Sequence, residues 1–526
     1  MSKPHFVILG GGYAAVTSTQ TLRKAILKGD LDVTVITREN YHNFHGFAAE
    51  MITGRILPSQ ILSPVRRIFP PANVLVAEIT AVDVPTQTIT FKRQIDGIRS
   101  QLHYDHLLVA LGASDNLEAY PGLREHGFRL HTYDGCLRLR SQLITMFELA
   151  SLTTNTAERR RLLTFVIAGG GYAGTEIAGE IADLCRLLTE REYKHIRREE
   201  CRVLLITPGA TILPELYSGI GAAGYGDGYP QLVAYAMRHM AKLGVEVRIN
   251  SRVAWVTPLE VGLVDGERIP TRTVVSAVGK KPAALVATLP MSHDERGRIH
   301  TDSTLRVPSQ PNIWAAGDCA AIPNPNNPAE HICPANAAWA VEEGKVVAQN
   351  VLRVVRGEEP RPFTYKGLGQ GASIGRRTGV GEFRGWQMRG LFSWLMWRML
   401  LVMNVPTWDR RLRLLADWLI WPLVGRDIVE MSVDDADDYE ISHHVFQAEV
   451  CIIEENQVGD YYYLIEEGQA EVRDTETGAT RLLGPNDYFG QHPHEMVTAK
   501  TQLRVVTIRA DQLHQLQAIA RPLLEV

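Results

Sequence analysis

The chain has 526 residues, 45% of them hydrophobic and 22% charged, enough for roughly three or four globular domains and unlike a disordered, collagen-like or disulfide-scaffold protein. Lysine plus arginine number 55 against 59 aspartate plus glutamate, a net charge of −4, so no nucleic-acid partner is predicted for the chain as a whole. Six cysteines stand far apart with no CxxC or Cys/His cluster, which argues against a zinc site or a thioredoxin-like pair and suits a reducing cytoplasm.

The first residues, MSKPHFVILGGG, carry no basic region, apolar core or cleavage site, so no signal peptide is predicted. No run of 18 uncharged apolar residues occurs, so no transmembrane helix is predicted either. Instead a strand begins at once: His5 to Leu9, then Gly10-Gly11-Gly12-Tyr13-Ala14-Ala15 opening a helical pattern. The same unit returns as Thr164 to Ala168 followed by Gly169-Gly170-Gly171-Tyr172-Ala173-Gly174, an offset of 159 positions (169 − 10). Strand, glycine turn and helix form the dinucleotide-binding fingerprint. The first glycine makes the turn, the second lets the backbone approach a pyrophosphate, and the third position (Ala15 or Gly174) must be small for helix–strand packing. The helix N-terminus then offers N–H groups to the phosphates. Two copies in matching context are a strong signal where one would be weak.

A second strand should follow each fingerprint and end in an acid that holds a ribose hydroxyl. Val33 to Ile36 and Val203 to Ile206 are those strands, followed by Thr37 and Thr207. Glu39 is the candidate acid in the first copy; the second has none nearby and no arginine for a 2′-phosphate, so NADH against NADPH stays open. Leu107 to Ala113 and Val274 to Gly279 are apolar strands closing on Gly112 and Gly279, read as points where the chain crosses between domains. A glycine-rich stretch, Tyr217 to Pro230, reads as a surface loop, with a lid over the nicotinamide site as the alternative.

Further on come Gly317-Asp318-Cys319-Ala320, then Ala337-Ala338-Trp339-Ala340-Val341-Glu342-Glu343-Gly344 and Ala372-Ser373-Ile374-Gly375. Six of the nine tryptophans fall between 386 and 421, and nine arginines but only three acids lie between Arg376 and Arg426. Apolar helical stretches around 391–403 and 410–423 with tryptophan and arginine suit helices lying in a membrane interface, rings at the headgroups and cations against anionic lipid. Core or dimer-interface helices are the alternative. An acidic linker (Asp434 to Glu440) precedes short strands near Val450–Ile453, Tyr461–Ile465 and Ala470–Val472.

Together the two fingerprints, the strand-end glycines, Gly317-Asp318, Asn40-Tyr41-His42 and Gly174 to Glu180 resemble the type II NADH:quinone oxidoreductases, a branch of the flavoproteins with two dinucleotide-binding domains, over about residues 4 to 430. The resemblance implies an α/β fold of the glutathione-reductase kind: an FAD domain (1–115 and 285–375), an NAD(P)H domain (116–284), a membrane-docking helical segment (376–430) and a β-roll (431–526). It implies FAD on Gly10, Gly12, Ala15 and Asp318, and NAD(P)H on Gly169, Gly171 and Gly174; Glu39, Gly112 and Gly279 are further cofactor-binding candidates. It makes Glu176 a candidate beside nicotinamide and flavin, although an acid in a first helical turn is favoured by the dipole alone. A family helix bearing Ala-Gln-x-Ala-x-Gln faces the quinone; here the two glutamines are Ala338 and Glu342. An ionised carboxylate has no proton to donate to a quinone carbonyl, so Glu342 serves only if a dry pocket protonates it, and Trp339 adds bulk. The implied acceptor is a quinone or similar lipid-soluble compound, and the implied place is the inner face of the cell membrane, peripheral; a homodimer is a further candidate partner.

Tyr462 to Val472 and Leu483 to Gly490 resemble the β-roll of cyclic nucleotide-binding domains. The acid of the phosphate cassette is replaced in Gln491-His492-Pro493-His494-Glu495 and no arginine precedes Arg504, so the roll reads as an interaction or dimerisation module without its nucleotide. Two other functions remain open: a sulfide:quinone reductase, with Cys333 as the best reactive-cysteine candidate, and a low-turnover flavin/NAD(P)H redox sensor signalling through the roll. Because every flavin-side motif precedes residue 386, removal of 386–430 and the roll is expected to leave a soluble, flavin-bearing protein.

Overall fold

A computed structural model describes residues 3–93, 98–219, 228–326, 332–429, 442–453, 461–490 and 494–509. The glycine-rich stretch at 220–227, the acidic linker and the Gln491–Pro493 triplet lie outside the described residues.

Two parallel sheets repeat one design. In the first, the strands run Ile313–Ala315, His106–Val109, His5–Leu9, Asp32–Thr37 and Asn73–Asp83, all parallel, with an antiparallel ribbon (Thr88–Arg93 and Arg99–His103) at the far edge. In the second they run Gly127–Phe128, Thr273–Ser276, Thr164–Ala168, Arg202–Ile206 and Val245–Arg248, again all parallel. The fingerprint strand is central in both, flanked by its second strand and by the strand that closes on Gly112 or Gly279. Phe6 to Leu9 and Phe165 to Ile167 are fully buried. Helices cover both faces of such sheets, which is why these strands read as unbroken apolar runs.

Between the sheets passes a two-stranded ribbon, Ala113–Asp115 against Lys280–Pro282. The two strand-end glycines therefore stand at neighbouring crossing points. Helix Ala337–Val355 packs on the first fingerprint helix, Tyr13–Lys28. Gly344 makes the contact close: a Cβ there would overlap the Ala14 carbonyl, and Ser18 Oγ donates to the Gly344 carbonyl at 2.7 Å.

Downstream, strands Gly369–Ser373, Gly379–Phe383 and Trp386–Arg389 form one antiparallel sheet. Residue 375 begins the tip of its first hairpin. Helices Gly390–Asn404 and Trp408–Val424 follow. Among the described residues no helix is long and apolar enough to cross a membrane. At 15 and 17 residues they reach only about 22 and 25 Å. Leu391, Phe392, Leu395, Met399 and Met403 form an exposed stripe on the first, and Leu412, Leu419 and Ile420 are exposed on the second.

The tryptophans and arginines of this segment do not divide as the sequence reading expects. Trp386 and Trp408 are exposed, but Trp418 packs edge-on against Phe47, 5.7 Å between ring centroids, and Trp394 lies under the Arg398 guanidinium at 4.0 Å. Arg398 is no headgroup cation. It is buried and donates to Glu50 at 2.8 Å. Arg426 is buried as well, donating to Asp183 at 2.7 Å beside Arg55, which donates to Glu180 at 2.7 Å. Arg140 meets Asp427 at 3.1 Å. These ion pairs tie the C-terminal segment to residues 50–55 and to the second fingerprint helix, Tyr172–Arg191. A side chain chosen for lipid by its composition is drawn inward because buried Glu50, Glu180 and Asp183 need partners.

The last 85 residues include two four-stranded antiparallel sheets. One joins Ser442–Phe446, Leu503–Arg509, Tyr461–Glu467 and Tyr488–Phe489; the other joins Cys451–Ile453, Glu495–Ala499, Ala470–Asp474 and Thr480–Leu483. Phe446, Ile465, Val472, Val497 and Val505 fill the space between them. Arg504 faces Glu466 at 3.9 Å. His444 stacks on His126, just before the edge strand Gly127–Phe128 of the second parallel sheet, 4.7 Å between ring centroids.

Candidate functional site: two dinucleotide cradles and the helix between them

Each fingerprint turn needs its first glycine. Gly10 and Gly169 have φ of +110° and +116°, and a Cβ on either would overlap the carbonyl of Ala110 or Ala277. The second glycines are different. Gly12 and Gly171 have ordinary extended backbone, and a Cβ on either meets no atom within 4 Å. That open space lies at a helix N-terminus with neither a side-chain cap nor an acid in the first turn. The N–H groups of both helix ends are thus left for a ligand, and a pyrophosphate fits both cradles. Ala15 and Gly174 are buried at the helix–strand contact; a Cβ on Gly174 would overlap the Gly169 carbonyl.

Gly112 and Gly279, at the crossing points, also face open space. Glu39 lies two residues past its strand and pairs with Arg38 at 3.0 Å. Asp318 receives Lys280 Nζ at 2.9 Å, so the Gly317-Asp318 turn is joined to the ribbon that carries the second crossing. Beside it Gly317 N–H donates to Glu343 Oε2 at 2.7 Å. Glu343 is fully buried; desolvation pushes its carboxyl up to about 8, the Asp318 charge adds to this, and the Gly317 N–H works against it. The sequence reading chose Glu342 and passed over its neighbour. A single rule separates them: Glu343 falls three, four and eight positions from the buried Ala340, Val347 and Val351, on the core face.

Glu342 lies on the open face with exposed Ala338. Its side chain is 31% exposed and pairs with Lys345 at 2.6 Å, so the dry pocket that would let it donate a proton does not surround it. Trp339 does not add bulk there. It turns into the core against Phe363 and Tyr365.

Glu176 is the fifth residue of its helix, in the second turn, so the first-turn dipole does not explain it. Its Oε1 accepts from Ser373 N–H at 2.9 Å, which brings Ala372-Ser373-Ile374-Gly375 onto the second fingerprint. Burial pushes Glu176 up to about 8; Ser373 opposes, Glu50 and Glu180 add, and Arg398 subtracts. Around the first fingerprint lies a group in which the sequence motifs marked Tyr13 and His42 but not His45 or His131. His45 N–H donates to Tyr13 Oη at 3.2 Å, His45 Nε2 donates to the His131 carbonyl at 2.6 Å, and His42 Nδ1 donates to the Gly11 carbonyl at 2.9 Å. Burial and the nearby His131 lower His45 to about 3, which keeps its ring neutral.

Both raised carboxyls carry a stability consequence with a definite sign. Their folded values lie above the unfolded value of about 4.3. Their contribution is therefore full below that pH and is lost as pH rises through about 8. Between pH 5 and 8 these carboxyls contribute a falling stability, against the opposite slope that neutral His45 contributes below about 6.5, and Glu343→Gln should remove up to about 1.4 kcal/mol per pH unit of the falling part. Calorimetry across this range decides; an unchanged slope in the variant would show that Glu343 is charged in the fold.

No cysteine is in a disulfide. Cys333 is buried and donates to the Pro323 carbonyl at 3.5 Å, and burial holds the Cys136 and Cys319 thiols up at about 12. A buried thiol with a raised pKa is a poor nucleophile, which argues against Cys136 and Cys319, and the candidate Cys333 is itself buried.

Comparison with known proteins agrees with this geometry. The pyridine nucleotide-disulphide oxidoreductase family model matches residues 4–344, the NDH2 C-terminal domain model matches 368–427, and the cyclic nucleotide-binding domain model matches 443–519. A type II NADH:quinone oxidoreductase of Mycobacterium tuberculosis is 28% identical over 447 residues, covering 81% of this chain and 88% of that one. A demethylphylloquinone reductase of Synechocystis is 26% identical over 432 residues, covering 80% and 97%. NDH2 of Plasmodium falciparum, solved in complex with NADH, shares the fold with a TM-score of 0.73 at 18% identity, covering 81% of this chain and all of that one. The sulfide:quinone oxidoreductase of Aquifex aeolicus shares it less well, with a TM-score of 0.60 at 17% identity, covering 81% and 96%. Residues 4–344, which hold both glycine cradles and both parallel sheets, match that first family model, and the chain belongs to the pyridine nucleotide-disulphide oxidoreductase family.

Proposed function

We propose that this protein oxidises NAD(P)H and passes the electrons through FAD to a quinone or similar lipid-soluble acceptor at a membrane surface. The observation that carries the reading is the pair of open cradles at Gly12 and Gly171, each at an uncapped helix end on its own parallel sheet. FAD, when bound, supplies the capacity to take a hydride on one side and return electrons on the other. Gly10, Gly12, Ala15, Glu39, Gly112 and Asp318 hold it in the 1–115 and 285–375 domain. Gly169, Gly171, Gly174 and Gly279 hold NAD(P)H in the 116–284 domain. Glu176 flanks the nicotinamide, its proton retained at neutral pH by burial.

The exposed stripes of Leu391 to Met403 and Leu412 to Ile420 rest on lipid and bring the acceptor to the protein. Six widely spaced cysteines with no CxxC pair suit a protein on the cytoplasmic side. A homodimer is the other use of this face; vesicle binding by a chain that sediments as a monomer decides for lipid.

Anaerobic spectroscopy tests the reading. NADH or NADPH should bleach the yellow protein, a quinone should restore the colour, and sulfide should do nothing. Bleaching without restoration by quinone would overturn the acceptor. Glu342→Gln refines the acceptor side: an amide offers the donor that the carboxylate lacks, and it removes a negative charge facing the reduced product. Stopped-flow should show the NAD(P)H half-reaction unchanged and the quinone half-reaction faster, by about two- to tenfold for one gained hydrogen bond. A slowed first half-reaction would put this helix on the donor side.

A further inference from the structure

At the far end of the second fingerprint helix from its glycine cradle there is a cavity of about 460 Å³ that the proposed reaction does not use. Its walls are the helix end (Asp183 to Glu192), the hairpin tip at Arg376 and Arg377, and Gly425 to Ile428. Six arginines line it (Arg55, Arg186, Arg191, Arg376, Arg377 and Arg426) against three carboxylates, Asp183, Glu190 and Glu192. Asp183 and Glu190 already face Arg55, Arg426 and Arg186, and Glu180, behind the wall, also pairs with Arg55 and Arg426, so six arginines stand against four carboxylates. The surplus is cationic even with the partial negative charge of the helix C-terminus counted against it.

Two features distinguish the cavity from an ordinary charged surface. Thr378 N–H donates to the Gly375 carbonyl at 3.0 Å, closing a two-residue turn with φ of 45° at Arg376 and 56° at Arg377. A turn with two positive φ values favours Asn-Gly, and bulky residues are strained there. Here the strain carries two guanidinium groups to the rim. Inside, Arg426 is buried, and its Nε has no hydrogen-bond partner among the described residues.

We infer that this cavity is a binding site for a phosphate-bearing anion. Arginine forks match phosphate oxygens in pairs, and the volume lies within the range of small-ligand pockets. Two sources present that chemistry. One is a soluble phosphate compound. The other is the headgroup of an anionic lipid, because Gly425 on the wall directly follows the lipid-facing helix Trp408–Val424.

The test uses the full-length, flavin-loaded protein and Arg376→Asn/Arg377→Gly, which puts the favoured residue pair into the turn and removes both guanidinium groups. One arm titrates inorganic pyrophosphate by calorimetry. The other compares cosedimentation with phosphatidylglycerol/phosphatidylcholine vesicles and with phosphatidylcholine alone. The wild type is expected to bind in one arm at least tenfold more tightly than the variant, while the variant unfolds at a higher temperature and its flavin is reduced by NADH at the wild-type rate. Arg191→Gln, on the opposite wall, should weaken the same arm. A difference in the pyrophosphate arm assigns a soluble ligand, and one confined to the phosphatidylglycerol increment assigns a headgroup. The inference is overturned if the wild type binds in neither arm, or if the variants bind as it does.

Discussion

A Gly12→Val protein is expected to purify folded and colourless. The protein leaves room for a branch point there: the backbone at Gly12 is extended, and a Cβ meets no atom within 4 Å. Only the dinucleotide needs that space. Flavin content should therefore fall by more than tenfold while circular dichroism stays that of the wild type. Gly171→Val is the matching experiment on the second sheet. Its protein should be yellow, with full flavin, yet NAD(P)H should bleach it at least a hundredfold more slowly. This pair separates two occupants that one variant would confuse. Full flavin in a folded Gly12→Val protein would remove the first cradle from the cofactor site.

The second large effect concerns Arg398. Arg398→Met leaves Glu50, itself buried, without the guanidinium that faces it at 2.8 Å. Removing one partner of a buried pair typically costs about 3–5 kcal/mol, because the remaining charge has lost both water and its counterion. Glu50→Leu in the same protein removes the stranded carboxylate and should recover most of the loss. Urea unfolding followed by flavin fluorescence measures both. Equal destabilisation in the single and double variants would mean that packing over Trp394 and Trp418, and not charge, is what Arg398 supplies.

The same pairs alter the expectation for a truncated chain. A protein ending at residue 385 lacks Arg398 and Arg426 and so leaves Glu50, Glu180 and Asp183 short of their partners. It also uncovers a core that Val402, Val405 and Leu414 complete. The truncated chain should therefore aggregate or lose flavin, although every flavin-side motif is retained. The C-terminal segment thus has two faces, one closing the core and the other turned outward.

What the sequence determined by itself was local or repeated. Each fingerprint is a strand, a turn and a helix within a dozen residues, and its glycines answer to backbone geometry that neighbours impose. The duplicated pattern implied two parallel sheets, and the resemblance of Tyr462 to Val472 and Leu483 to Gly490 to cyclic nucleotide-binding domains implied a roll. Apolar helical stretches near 391–403 and 410–423 were legible in the sequence, but which of their side chains stay exposed was not. Tertiary structure decided what depends on partners far away in the chain. Whether Arg398 meets lipid or Glu50 is a question of 348 residues of separation, and composition cannot express it. The choice between Glu342 and Glu343 turns on which side of one helix lies against the first fingerprint. Burial then sets their chemistry: one carboxyl pairs with Lys345 at the surface, and the other, next to it in sequence, is desolvated enough to keep its proton near neutral pH. Charge is cheap in water and expensive out of it, so the roles of these ionisable residues were settled only when the fold determined which of them leave the solvent.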